Sequence, residues 1–83
     1  MNDADMDLAS GVAAFEAKEF RRAFQLLAPL AARGEAEAQF RVAVMSRNGL
    51  GGVANEALAF SSMRDAARQG HGLAQHGLGV MYL

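Results

Sequence analysis

The 83-residue sequence contains no cysteine and no tryptophan, one proline, one tyrosine and two histidines. Without cysteine there is no disulfide framework, no thiolate metal site and no thiol nucleophile, a composition that fits a reducing compartment. Charge of one sign is also missing: eight basic residues stand against nine acidic ones, for a formal net charge of −1. That balance supplies no long-range field to hold a polyanion, so nucleic acid is not an expected partner. No apolar run approaches the ~20 residues a helix needs to cross a bilayer. The segment Met1 to Asp7 is acidic and lacks the basic start and apolar core of a signal peptide. The expectation is a cytoplasmic protein, or a periplasmic one if an N-terminal segment was trimmed, with no membrane contact.

Catalytic groupings are equally sparse. Only His71 and His76 could act as imidazole bases or ligands, and their spacing puts them on different faces of one helix. Glu35 and Glu37 lie about 200° apart around a helix and do not face one another. Neither histidine stands near a serine and acid in the order that nucleophilic catalysis uses. The reading is a protein that is not an enzyme and carries no metal or cofactor.

What the sequence does have is alanine and helical periodicity. Hydrophobic residues make up 52% of it, many of them alanine, which suits close packing of slim helices and points to an all-α fold in a single domain. Leu8, Val12 and Phe15 recur at helical spacing behind Asp3, Asp5 and Asp7, predicting a first helix over about 4–17. Gly11 inside it is explained by the close approach of another helix. After a turn at Lys18-Glu19, the residues Phe20, Ala23, Phe24, Leu27, Leu30 and Ala31 form the stripe of a second helix that ends at Gly34. Pro29 falls within that stripe and is expected to bend the helix without ending it. Ala38, Val42 and Met45 mark a third helix to about Arg47, followed by the break Asn48-Gly-Leu-Gly-Gly52. That loop has no phosphate-binding lysine and no preceding strand, and reads as a connector between helices. Asn55 caps a fourth helix that ends at Gly70. A fifth, over about 71–83, carries Ala74, Leu78, Met81 and Tyr82.

The chain repeats itself. The stretch Gly34-Glu-Ala-Glu-Ala-Gln-Phe-Arg-Val-Ala-Val-Met45 returns thirty-six residues later as Gly70-His-Gly-Leu-Ala-Gln-His-Gly-Leu-Gly-Val-Met81. Small residues dominate the matches, among them Ala23 with Ala59, Ala38 with Ala74 and Gly34 with Gly70. A period in this range marks arrays of helix pairs.

The pattern resembles the Sel-1-like repeat, a relative of the tetratricopeptide repeats with a longer loop between its helices. The resemblance rests on Ala74-Gln75, Leu78-Gly79 and Met81-Tyr82, on the partial copy Ala38-Gln39, Val42-Ala43 and Met45, on the loop Asn48-Gly49-Leu50-Gly51, and on the ending Ala66-Ala67-Arg68-Gln69-Gly70. Ser46, Ala43 and Ser62-Met63 depart from it where tyrosine, glycine and a tryptophan-tyrosine pair are usual. It implies a right-handed α-α superhelix of antiparallel pairs, about 4–34 and 35–70, with an unpaired final helix. It also implies a scaffold or adaptor that holds a protein or peptide partner.

In such an array the first helix of each pair lines the concave surface, and the positions that differ between repeats are those free to carry specificity. Glu37, Phe40, Arg41, Leu73 and His76 are the expected partner-binding residues, Phe40 beside Arg41 having the composition of a binding hot spot, with packing on a neighbouring helix as the equal alternative for Phe40. Two alternatives accompany this reading. Leu78, Met81, Tyr82 and Leu83, expected to be exposed on the unpaired helix, would form a homodimer contact, or the chain would be a fragment of a longer array.

Overall fold

Glycine breaks and apolar stripes translate directly into helices in a computed structural model that describes residues 3–81. Helices α1 (Asp3–Glu16), α2 (Phe20–Ala32), α3 (Ala36–Asn48), α4 (Glu56–Arg68) and α5 (Gly72–Met81) are the only regular elements among the described residues. The fold is all-α with five helices, as the periodicity predicts. Each helix packs on its neighbours in the chain, and α1 also touches α3. One core cluster joins α1, α2 and α3 through Ala14, Ala23, Leu27, Leu30, Ala38, Val42 and Met45. A second joins α3, α4 and α5 through Ala43, Met63, Ala66 and Ala74. None of these helices is long and apolar enough to cross a membrane.

The repeat is legible in hydrogen bonds as well as in residue types. At the end of α2 the Gly34 N–H donates to Ala31 O and the Glu35 N–H to Leu30 O. At the end of α4 the Gly70 N–H donates to Ala67 O and the His71 N–H to Ala66 O. Both are the paired closure that a left-handed residue after a helix allows, with Gly34 at φ +97° and Gly70 at φ +85°. The glutamines follow suit: Gln39 Nε2 donates to Ala31 O at 3.2 Å, and Gln75 Nε2 to Ala67 O at 3.3 Å. Gln69 then ties the two copies together, its Nε2 donating to Gly34 O and to Gln39 Oε1.

The end of α1 closes by the same bonds, Lys18 N–H to Phe15 O and Glu19 N–H to Ala14 O, but the left-handed residue is Lys18 at φ +63°. A Cβ there is strained where glycine is not. Lys18→Gly is expected to stabilise the fold by about 0.5–1 kcal/mol, seen as a higher urea midpoint with an unchanged m-value.

Three further expectations meet their physical reasons. A Cβ on Gly11 would lie 2.5 Å from Leu27 Cδ2, so α1 and α2 approach as closely as the missing side chain permits. Pro29 stands in an uninterrupted α2, on its exposed side, and removes the N–H that would reach Gln25. The Asn55 side chain accepts from Leu58 N–H at 3.0 Å and caps α4. In the connector Asn48-Gly-Leu-Gly-Gly52, Gly49 ends α3 at φ +67° and Leu50 packs against the first core cluster.

Candidate protein-interaction groove

Side chains at i, i+3, i+4 and i+7 of a helix share a face, and on α3 one such face carries Glu37, Phe40, Arg41 and Val44. The residues divide into two groups. Towards the start of α3, Arg41 donates to Glu37 Oε1 through Nε at 3.2 Å and Nη2 at 3.1 Å. Its guanidinium lies 4.8 Å from the centre of the Phe15 ring and 3.9 Å from the Glu16 carboxylate on α1. The second Glu37 oxygen meets His71 Nε2 at 2.6 Å.

His71 is the residue that sequence reasoning missed. Its Nδ1 accepts the backbone N–H of Ala74 at 3.1 Å, and its ring stacks on Phe40 with centroids 4.8 Å apart and planes 24° from parallel. A backbone N–H can only donate, so Nδ1 carries no proton and the neutral ring bears its hydrogen on Nε2, aimed at Glu37. One imidazole thereby caps α5, covers Phe40 and fixes a carboxylate on α3. Burial pushes the Glu37 carboxyl up, but hydrogen bonds from His71 and Arg41, with the Arg41 charge, outweigh it and hold the group below the ordinary carboxylate range.

Glu37 and Arg41, read from sequence as partner contacts, are thus joined to each other and to His71 within the chain. Phe40 is half-buried between His71 and the second core cluster. Past this network the face opens. Phe40, Val44 and Arg47 of α3, Met63 of α4, and Leu73, His76, Gly77 and Val80 of α5 border a groove of about 490 Å³. Leu73 is 65% exposed and Val80 43%. Arg47 and His76 are exposed at its edge, and no acid lines it. Gly77 lets α5 settle on α4, since a Cβ there would lie 2.9 Å from Met63 Cε. Of the five expected partner residues, the groove unites Phe40, Leu73 and His76.

The expected self-association set needs correction. Leu78 and Met81 are half-buried and pack on the cluster of Ala43, Met63, Ala66 and Ala74. They share the inward face of α5 with Ala74, so the exposed apolar side chains of that helix are Leu73 and Val80. Tyr82 and Leu83 lie outside the described residues.

A neighbouring groove of about 620 Å³ runs between α1 and α3, bordered by Leu8, Ala9, Val12 and Ala13 with the acids Asp5, Glu16 and Glu37. It is larger, but of its apolar side chains Leu8 and Val12 are half-buried and the rest are alanines. Among the described residues no group of three histidine or acidic side chains is placed to hold a metal ion. Against known proteins, no family model, no curated protein and no solved structure matches this chain.

Proposed function

We propose that this protein is a non-catalytic interaction module, a scaffold or adaptor of the Sel-1-like kind, that seats an apolar helical segment of a partner in the groove between α3 and α5. One observation carries the reading: Leu73 and Val80 stand exposed over a floor of Phe40, Val44 and Met63. Apolar side chains grouped in a concave surface with a charged edge are the usual composition of a peptide-binding groove. The recurring Gln39 and Gln75 bonds support the helix-pair superhelix that the resemblance implies, in which this groove lies on the concave side.

Selection of helical peptides from a displayed library on the folded protein tests the reading. Leu73→Glu places a charge where the apolar anchor of the peptide would sit, and is expected to weaken the selected peptides at least about tenfold in fluorescence polarisation. Val53→Glu serves as the control, because Val53 is 93% exposed on the loop and does not border the groove. Peptides that bind wild type and Leu73→Glu equally would overturn the assignment.

A further inference from the structure

The groove has a counterpart on the same molecule. Helix α1 turns an open face outward: Met6 is 55% exposed, and Ala9 and Ala13 are exposed at i+3 and i+7 from it. Asp5 and Glu16, both exposed, lie together along one edge of this stripe. The α1 face is therefore slim and apolar with an acidic edge, whereas the α3 and α5 groove is apolar with Arg47 and His76 at its edge. The alanines of the α1 face permit a close approach of helices.

From this complementarity we infer that the occupant of the groove is a second copy of this chain, which inserts its α1 face head to tail. The inference rests on the groove being a docking surface and says what docks there. Charge decides between the two ways a second copy could bind. Groove against groove would bring together two faces that each carry the cation Arg47 and no acid, and an interface without complementary charge disfavours pairing. The α1 face against the groove sets Asp5 and Glu16 near Arg47 and His76 instead. It also leaves a free groove on one copy and a free α1 face on the other, so the contact is heterologous and propagates.

A single helix laid along the ten-residue α5 is at the small end of specific interfaces, which places the dissociation constant in the range of about 10–100 µM. Sedimentation velocity across that range is expected to give a weight-average mass that keeps rising past two copies. Added salt should weaken the association by screening the charged margins. Met6→Glu and Leu73→Glu, both at exposed positions, should each be monomeric alone. Mixed in equal amounts they should form a closed pair, the intact α1 face of Leu73→Glu seated in the intact groove of Met6→Glu. Val80→Asp replaces Leu73→Glu should circular dichroism show that the latter is unfolded. A wild-type chain that stays monomeric throughout would overturn the inference, as would Met6→Glu associating like wild type, the signature of groove against groove. If the wild type is monomeric while selected peptides still bind at Leu73, the occupant assigned here is wrong and the docking surface stands.

Discussion

Gly51→Ala is expected to lower the unfolding free energy by about 2–4 kcal/mol, read as a fall in the urea midpoint. Two costs add. Gly51 has φ +78°, a conformation that a residue with a Cβ adopts only with strain. Its Cβ would also lie 2.5 Å from Phe20 O, 2.6 Å from Phe20 C and 3.0 Å from Arg21 N. These are backbone atoms in the first turn of α2, and unlike the tip of a flexible side chain they cannot swing aside. Relief would require the loop to lift from α2, and Leu50, which packs against the first core cluster, would be drawn out with it. Gly52→Ala is the control: a Cβ there meets nothing within 4 Å and the residue has no positive φ, so a change within about 0.5 kcal/mol is expected. Equal losses at both positions would mean that loop flexibility, and not the contact with Phe20, sets the requirement for glycine.

Leu27→Ala is expected to cost about 3 kcal/mol, since Leu27 is 0% exposed and its removal leaves a cavity between α1 and α2. The more informative outcome comes from combining it with Gly11→Ala. In the wild-type protein a Cβ on Gly11 would collide with Leu27 Cδ2 at 2.5 Å and Cγ at 2.7 Å, in a buried site with nowhere for the leucine to move. Once Leu27 is alanine those two atoms are gone, and Leu26 Cβ at 3.3 Å is the remaining tight neighbour. Gly11→Ala should therefore destabilise the wild type and stabilise the Leu27→Ala protein by up to about 1 kcal/mol, the helix-propensity difference between the two residues. Urea unfolding of the four proteins gives the coupling energy. Additive effects would show that α1 and α2 do not meet through this pair.

Much of this architecture is legible in the sequence because the determinants are local. Gly34, Gly70 and Asn55 act within one turn of their helices, and the apolar stripe of α2 is visible in a single stretch. Gly11 is interpretable for a related reason: a glycine amid a helical pattern calls for a neighbour, even before Leu27 is known to be that neighbour. The network around His71 is not local. Glu37 and His71 are thirty-four residues apart. In the repeat register His71 aligns with Glu35, a position whose side chain makes no capping bond. Nothing in the spacing indicates that an imidazole caps α5, stacks on Phe40 and satisfies Glu37 at once.

The outward face of α5 is a different case, because the signal was present. Ala74 and Met81 align with Ala38 and Met45, which are 0% and 1% exposed. Leu78 falls between them on the same helical face, so all three turn inward and leave Leu73 and Val80 for the groove. Helical periodicity is the better guide there than the missing partner of the last helix, which singled out Leu78 and Met81 for exposure.

The packing of each helix on its neighbours in the chain bears on how quickly the protein forms. Helices that meet across a turn such as Lys18-Glu19 lose little loop-closure entropy in coming together, so native contacts can accumulate one neighbour at a time. Chains with such sequence-local contacts fold in microseconds to milliseconds, far faster than folds built from distant strand pairings. For a small, alanine-rich protein that speed has a protective value: the interval in which Phe24, Leu27 and Met45 are open to other chains is brief.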